Sequence, residues 1–409
     1  LLNRDQFYED VHDMVNKYHD TTFYLICSNI KDFKFINEIF GMEKGNQVLI
    51  KQAKLMASNP SERTICARLM NDRFALCLPR EEFDEKRVAD SVKELQCEFT
   101  GNSFHLHMYM GVYEIRDRDE AVSIMVDKAN IAADTIKNNY DCCVAYYDEH
   151  LLEISIEQRR LLGEFEPALQ NDEFVMYLQP QVKRDGAAKG AEALVRWVHP
   201  SRGILTPYAF IDILENAGLI YKLDLYIWEK AAQKLAEWKE KGYGSYHISV
   251  NISTKDFYII DIYETFTGLI NKYGIAASNL HLEITETTLM TDFEKNMNII
   301  HKLQGVGFRV EIDDFGSGYS SLNMLKDISA DVLKIDMGFL RKSENEVKGQ
   351  DILESIITLA GKIGMDVITE GVETKKQLDM LTMMGCHEFQ GYYFSKPVPV
   401  SEFEEKYLV

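Results

Sequence analysis

FRVEIDDFGSGYSS, residues 308–321, joins a short apolar run to two adjacent carboxylates and a loop that contains glycines. The apolar run predicts a buried strand that ends where Asp313 and Asp314 begin. Side chains alternate along a strand, but at a strand-to-loop junction the backbone can turn so that both carboxylates reach one pair of cations. In isolation, such a segment is better explained as a helix-capping Asp pair beside a flexible loop. The motifs in the rest of the chain favour the metal site over the helix-capping explanation.

The length and composition indicate two globular domains. The 409 residues exceed one average domain, and 46% hydrophobic with 27% charged residues is ordinary for a protein with buried cores. The formal net charge of -20 argues against nonspecific binding of DNA or RNA, which requires clustered Lys and Arg. An anionic substrate therefore needs bound metals or a local Arg to reach its site.

The cysteines and the hydropathy pattern bear on the compartment. Seven cysteines lack metal-ligand spacing and fit a reducing cytoplasm better than a disulfide framework. No run of about 18 apolar residues appears, and the first residues do not resemble a signal peptide. We therefore expect no membrane segment here, and a cytoplasmic protein or the cytoplasmic part of a longer, membrane-attached one.

The first 150 residues mix strand and helix patterns in a way typical of an antiparallel sheet packed against helices, an α+β domain. Helical patterns follow the first strand to about residue 56 and recur at 84–99 and 120–137. Strand patterns occur at 23–30, 64–67, 74–78 and 105–112.

Residues 1–147 resemble the GGDEF family of diguanylate cyclases. The resemblance rests on four motifs in order: Asn3-Arg4-x-x-Phe7, Asn29-Ile30-Lys31-Asp32-Phe33-Lys34-Phe35-Ile36-Asn37, Gly41-x-x-x-Gly45-Asn46 and Arg68-Leu69-Met70-Asn71-Asp72-Arg73-Phe74. It implies a GGDEF-like fold for this half.

The residues that carry cyclase chemistry in that family are replaced. Asn29 stands where the family has a metal-binding Asp, and Met70–Phe74 replaces the signature, with Arg73 at the place of an acid. Asp134 replaces a triphosphate-binding Lys, and Asn46 replaces a guanine-contacting Asp. The resemblance therefore implies a degenerate, catalytically inactive domain with a regulatory or dimer-forming role.

Two further positions qualify that prediction. Ser61 and Thr64 fill the places of the family's inhibitory Arg-x-x-Asp pattern, so that inhibitory site is missing as well. Asn37 remains at a guanine-contacting position, which leaves residual GTP binding open.

Residues 148–170 form the predicted connector between the halves. Apolar residues recur there at a loosely helical spacing amid charges, which predicts a helix. This helix either transmits a twist between the halves or is a simple spacer.

Residues 171–409 are predicted to form an α/β barrel of the TIM type. About eight strands alternate with amphipathic helices over roughly 235 residues, which is the count and length of such a barrel. The predicted strands are 175–178, 191–197, 246–251, 280–284, 308–312, 332–335, 366–369 and 387–390.

Polar side chains occur at or near the ends of six of these strands, where TIM-type barrels place their chemistry. Each has an ordinary explanation alone, such as a turn contact or a surface ion pair. Convergence of all six from successive strands is a much less probable accident. The six positions are Asn251, Glu283, Asp313-Asp314, Lys334, Glu370 and Gln390.

The second half also resembles a known family, the EAL cyclic di-GMP phosphodiesterases, over roughly residues 160–405. Every expected motif is present, in order, with no departure at a catalytic position. The motifs are Gln179-Pro180, Glu192-Ala193-Leu194-Val195-Arg196-Trp197, Asn251-Ile252-Ser253, Glu283-Ile284-Thr285-Glu286, Asp313-Asp314-Phe315-Gly316, Lys334-Ile335-Asp336, Glu370-Gly371-Val372-Glu373 and Gln390-Gly391.

The resemblance implies a two-metal site for Mg²⁺ or Mn²⁺, since the ligand set contains oxygen donors and no His or Cys. One metal would be held by Glu192, Asn251, Glu283 and Asp313. The other would share Asp313 and be completed by Asp314 and Glu370.

The resemblance also implies roles around the metals. Lys334 would contact the attacking water, and Glu286 would anchor the loop that follows Asp314. The substrate-binding residues would be Gln179, Arg196, Glu373 and Gln390.

The implied function is hydrolysis of cyclic di-GMP to linear pGpG by a homodimer formed through the barrel. The alternative is a noncatalytic cyclic di-GMP receptor, although receptors with this fold are expected to have lost metal carboxylates. An active cyclase is disfavoured by Asn29 and the altered Met70–Phe74 segment.

Overall fold

The computed structural model describes residues 1–31, 33–57, 61–100, 106–137, 139, 142–315, 328, 330–336 and 346–408. The chain divides into two compact units, Leu1–Arg159 and Arg160–Val409. This division falls inside a helix, Glu149–Gln170, within the predicted connector.

The first unit is an α+β sandwich, as predicted. Its helices are α1 (Arg4–Lys17), α2 (Phe33–Phe40), α3 (Met42–Met56), α4 (Glu85–Thr100) and α5 (Val122–Thr135), with a 3-10 turn at Arg80–Glu82. Its strands are β1 (Phe23–Ile30), β2 (Ile65–Met70), β3 (Arg73–Pro79), β4 (Met108–Glu114) and β5 (Val144–Tyr146).

The sheet of the first unit has the order β2-β3-β1-β4-β5. Its pairs are antiparallel except β4 and β5, which are parallel. The helical pattern predicted to run to about residue 56 is two helices, because Gly41 takes a φ of 84° between them, a conformation that favours glycine.

The second unit contains ten further helices, one of them shared with the first unit, and ten further strands among its described residues. The helices are α6 (Glu149–Gln170, shared with the first unit), α7 (Ile211–Ala217), α8 (Ile220–Glu240), α9 (Asp256–Ile259), α10 (Ile262–Tyr273), α11 (Glu286–Thr291), α12 (Phe293–Val306), α13 (Glu346–Lys362), α14 (Lys375–Met383) and α15 (Val400–Tyr407). The strands are β6 (Phe174–Lys183), β7 (Ala188–His199), β8 (Gly203–Leu205), β9 (His247–Ile252), β10 (Leu280–Thr285), β11 (Val310–Phe315), β12 (Val332–Asp336), β13 (Asp366–Glu370), β14 (Glu388–Phe389) and β15 (Val398–Pro399).

Eight of these strands close into the predicted barrel, in the order β6-β14-β13-β12-β11-β10-β9-β7, with β6 paired to β7. The first strand differs from a fully parallel TIM barrel, because β6 runs antiparallel to both β7 and β14. Only residues 184–187 separate β6 from β7, so the two form a hairpin rather than a crossover.

The alternation along the parallel strands sends polar side chains into the barrel and apolar ones toward the helices. On β9, Ile248 and Val250 are fully buried in the apolar core, whereas Ser249 and Asn251 bond to residues of other strands. The C-terminal ends of β7 and β9–β14 meet at one rim, which we call the upper rim, and their N-terminal ends meet at the lower end.

Candidate active site

A buried ammonium group lies at the centre of the upper rim. Lys334 on β12 is fully buried. Its Nζ contacts four carboxylates: Glu370 Oε1 at 2.8 Å, Glu283 Oε2 at 2.9 Å, and Glu192 Oε2 and Asp313 Oδ1 at 3.3 Å. Side chains from five strands thus meet at one point, and four of them, all except Glu192, occupy strand-end positions singled out in the sequence.

Amide side chains extend this cluster around Glu192. Asn251 Nδ2 donates to Glu192 Oε1 at 3.1 Å, and Gln390 Nε2 donates to Glu192 Oε2 at 2.6 Å. Gln390 also donates to Gln179 Oε1 at 3.2 Å. Both oxygens of Glu192 are therefore held by neighbouring donors, and β6, β7, β9 and β14 are tied together.

These contacts fix the charged forms of Lys334 and Glu192. Burial alone would lower the pKa of Lys334, but Asp313 and the three glutamates raise it well above its usual range. Burial likewise disfavours ionised Glu192, yet Lys334, Gln390 and Asn251 hold its pKa below the ordinary value. The pair is thus a lysine ammonium and a carboxylate.

The remaining acids are not fully compensated. Burial raises the pKa of Glu370 to about 8, despite the nearby ammonium, and burial followed by the charge of Glu192 raises that of Glu283 well above its ordinary value. Glu283 Oε1 and Gln390 Oε1 are buried without a hydrogen-bond partner among the described residues. One ammonium does not neutralise four carboxylates, so these oxygen donors fit added divalent cations.

A β-bulge sets the direction of the side chains of the two adjacent aspartates, Asp313 and Asp314. The pairing of β11 with β12 shifts register between Ile312 and Phe315, and Asp314 takes a φ of 55°, which is uncommon for a residue other than glycine. Such a bulge breaks the strict alternation of a strand and re-aims side chains. The pKa of Asp314 is consequently raised, first by burial and then by the negative charge of Asp313.

The loop assigned to the second metal lies mostly outside the described residues, since 316–327 are not among them. Its predicted anchor, Glu286, begins helix α11 at the end of β10. The anchoring role of Glu286 stays a prediction.

The predicted phosphate ligand, Arg196, is half-buried on β7. Its guanidinium carbon lies 5.5 Å from the ring centroid of Tyr177, and Nη1 donates to the carbonyl of Val195 at 2.8 Å. Tyr177 was missed by sequence reasoning because the contact arises from the antiparallel pairing of β6 with β7, in which Val175 opposes Arg196 and Tyr177 is its diagonal neighbour.

Glu373 lies apart from the buried cluster. It is exposed, just before helix α14, and its backbone N–H donates to the side chain of Gln377. The structure therefore brings Gln179 and Gln390 to the ammonium cluster but leaves Glu373 at the mouth of the barrel.

In the first unit, the positions that differ from the cyclase pattern are engaged by protein contacts. Asn29 Nδ2 donates to the Tyr109 hydroxyl at 2.9 Å, and its Oδ1 accepts from the N–H of Ile30 at 3.0 Å. Arg73 is exposed beside Asn71, which turns the β2–β3 hairpin with a φ of 52°. Among the described residues of this unit, no three His, Cys, Asp or Glu side chains bring their ligand atoms within 4.8 Å of one another.

Within the described ranges, no helix combines the length and the apolar character that a membrane crossing requires.

Two family models match the chain: the EAL domain over residues 163–397, and the GGDEF domain of diguanylate cyclases over residues 1–141. Among curated proteins, the chain is 30% identical over 395 residues to the bifunctional diguanylate cyclase/cyclic di-GMP phosphodiesterase MucR of Pseudomonas aeruginosa, covering 94% of this chain and 57% of MucR. It is 28% identical to the cyclic di-GMP phosphodiesterase NbdA of the same organism, covering 92% of this chain and 49% of NbdA.

A solved structure, the PaMucR phosphodiesterase in complex with c-di-GMP, is also similar. It is 33% identical, with a TM-score of 0.57, and the match covers 60% of this chain and 99% of that one. The chain spans about half the length of the curated relatives it matches.

Proposed function

This chain belongs to the EAL domain family, with a GGDEF domain ahead of the EAL domain, and on that premise we propose that it is a metal-dependent phosphodiesterase that hydrolyses cyclic di-GMP to linear pGpG. The observation that carries the proposal is the gathering of four carboxylates around Lys334 at the upper rim. Similarity to proteins named as cyclic di-GMP phosphodiesterases supports the substrate.

The oxygen donors suit two hard divalent cations, Mg²⁺ or Mn²⁺. One cation would be held by Glu192, Asn251, Glu283 and Asp313. The second would share Asp313, with Asp314 and Glu370 completing its ligands. A bound metal pair would polarise phosphoryl oxygens and lower the pKa of bound water.

The protein's own groups then orient the reaction. With cations sharing the carboxylates, the ammonium of Lys334 would be available to donate to the attacking water and to fix its direction. Arg196 would bind a phosphate with its fork of donors, held in place against Tyr177. Gln179 and Gln390 would border the substrate, with Glu373 at the mouth of the pocket.

Water is the only co-reactant that this hydrolysis requires. The water oxygen bonds to phosphorus, the bond from phosphorus to the ribose 3′ oxygen breaks, and the leaving oxygen takes up a proton. One of the two phosphodiester bonds of the ring is cut, so the product is linear and carries a 5′ phosphate.

We assign the first unit a regulatory or dimer-forming role without cyclase activity. The amide of Asn29 is occupied by Tyr109 and Ile30, which supports loss of metal binding there. The proposed assembly is a homodimer through the barrel. Sedimentation of the intact chain measures whether it forms a dimer. Specific activity measured across the same concentrations tests whether dimer formation changes turnover.

The test of the enzyme proposal separates hydrolysis from binding. The intact chain is incubated with cyclic di-GMP and Mg²⁺ or Mn²⁺, the products are separated, and ligand binding is measured by calorimetry. Glu192→Gln should lower kcat at least about 100-fold, the scale of losing one electrostatic stabiliser. Glu229→Gln, an exposed acid on α8, is the control and should keep wild-type turnover.

Binding without turnover in the wild type would replace the enzyme by a noncatalytic receptor. Conversion of GTP to cyclic di-GMP would restore the cyclase hypothesis for the first unit.

A further inference from the structure

A second cluster of metal-ligating side chains lies at the lower end of the barrel. His247, His281 and Glu311 come from β9, β10 and β11, the same three strands that present Asn251, Glu283 and Asp313 at the upper rim. The spacing of two or four residues keeps both sets on the inner face of their strands. Each of these strands therefore carries a polar group of the upper rim and one of the lower cluster.

The three side chains are close enough to share one ion. One ligand atom from each lies within 4.8 Å of the others, and His281 Nδ1 lies 2.6 Å from Glu311 Oε1. Glu311 is fully buried and both histidines are nearly so. In a metal site each donor lies about 2.0–2.2 Å from the ion, so the three side chains would have to move closer to a shared centre.

Within the part of the chain that the structure describes, the hydrogen bonds of this cluster reach only one of the two carboxylate oxygens of Glu311. The two ring nitrogens of His281 face oxygen acceptors, Glu311 Oε1 and the carbonyl of Ser278 at 3.2 Å. Ser249 Oγ also donates to Glu311 Oε1, at 3.2 Å. The other carboxylate oxygen, Glu311 Oε2, is buried without a hydrogen-bond partner among the described residues.

His247 is in the form that binds metals. Burial lowers its pKa to about 3, so the imidazole is neutral at physiological pH, as metal ligation requires. One ring nitrogen, Nε2, lies 2.7 Å from Gln181 Oε1. The His247 ring lies parallel to that of His281 with centroids 3.8 Å apart, so one ring must turn out of this stack to share an ion.

An open cavity gives an ion a path from the surface to the cluster. A cavity of about 470 Å³ borders the cluster and reaches the surface at the exposed residues Ser245 and Ser278. Its two basic side chains have acidic partners of their own, Lys189 with Glu388 and Arg309 with Asp366. The unpartnered carboxylate oxygen of Glu311 therefore remains for an added cation.

We propose that His247, His281 and Glu311 form a binding site for a zinc-class divalent cation, with a water from the cavity as fourth ligand. Two imidazoles and one carboxylate are a donor set suited to Zn²⁺, and differ from the all-oxygen donors at the upper rim, which suit Mg²⁺ or Mn²⁺. An ion held here would fix the lower ends of the three strands that present Asn251, Glu283 and Asp313.

Cobalt is the probe, because Co²⁺ in a four-coordinate site with nitrogen ligands absorbs visible light far more strongly than Co²⁺ surrounded by six oxygens. The intact chain is titrated with Co²⁺ in excess Mg²⁺, which occupies oxygen sites. We expect one equivalent of strongly absorbing Co²⁺, displaced by Zn²⁺. His281→Asn and Glu311→Gln should each weaken Co²⁺ binding at least 100-fold, beyond the loss of about 10–100-fold typical of outer-shell partners.

Glu370→Gln, at the upper rim, is the matched control and should keep the strong Co²⁺ absorption. Weak absorption in the wild type would overturn the proposal and leave an internal hydrogen-bond network that stabilises the lower end of the barrel. Unchanged Co²⁺ binding in the near-isosteric Glu311→Gln would overturn it as well, whether or not His281→Asn folds.

Discussion

Replacement of Lys334 by methionine tests the ion-pair cluster most severely. Methionine has a similar volume but no charge, so four carboxylates within 2.8–3.3 Å of the lost ammonium are left without their shared partner. Removing one member of a buried ion pair destabilises a protein by about 3–5 kcal/mol, because the remaining charge is uncompensated. With an m value of about 2–3 kcal/mol per M, the urea midpoint falls by about 1–2.5 M.

The three tryptophans make this loss measurable in the barrel alone. Trp197, Trp228 and Trp238 are the only tryptophans in the chain, and all are buried in the second unit. Urea unfolding followed by tryptophan fluorescence, in EDTA, therefore reports on the barrel whether or not the first unit unfolds separately. Added Mn²⁺ should recover part of the lost stability, because the cation replaces the missing positive charge.

The control is Lys272→Met, which removes an exposed ion pair with Glu229 and should leave the midpoint near the wild-type value. If Lys334→Met is as stable in EDTA as the wild type, the carboxylates do not depend on the ammonium. The account of the upper rim would then be wrong.

Three further predictions concern metal binding, phosphate binding and the carboxyl pair of Asp224 and Asp256. Mn²⁺ at 100 times its Kd should raise the unfolding free energy of the wild-type barrel by about 2.7 kcal/mol, and calorimetric melting that shows no rise would exclude binding to the folded state. Arg196→Lys should raise KM about 10-fold or more, because the fork of charged donors is lost; steady-state kinetics with unaltered KM would remove the phosphate role. The pKa of Asp224, a half-buried residue on α8, is raised well above its ordinary value by desolvation and by Asp256, so the folded barrel holds a proton that the unfolded chain releases above about pH 4. Stability is lost as pH rises toward that folded pKa, and Asp224→Asn should raise the urea midpoint at pH 8 more than at pH 4.5, whereas equal shifts would contradict the assignment.

Much of the barrel was readable from the sequence because its strands repeat one pattern. Apolar residues such as Ile248 and Val250 alternate with polar ones that face inward, and parallel strands bring their C-terminal ends to one rim. That is why the meeting of Lys334 with Glu283 and Glu370 could be predicted without any contact being visible in the sequence.

The reversed first strand was not predicted, and the reason is local. The apolar patterns at 175–178 and 191–197 are separated by enough residues for a crossover, whereas the true strands extend to Lys183 and begin again at Ala188. The residues next to the hairpin turn are partly polar and do not fit an apolar strand pattern, so both strands were predicted too short. The contact of Arg196 with Tyr177 depends on this hairpin and was missed with it.

The lower cluster was missed for a different reason. His247, His281 and Glu311 lie far apart in sequence and follow no recognised motif spacing, and each is an isolated polar residue within an apolar strand pattern. Only the register of β9, β10 and β11 brings them together. The available signal was the placement of Glu311 two residues before Asp313, on the same inward face.

Anomalous diffraction from crystals of the intact chain soaked in Mn²⁺ would test the central claim directly. The account predicts two anomalous peaks at the upper rim, one among Glu192, Asn251, Glu283 and Asp313, and the other among Asp313, Asp314 and Glu370. A rim without peaks, in which Lys334 still contacts all four carboxylates at saturating Mn²⁺, would contradict it.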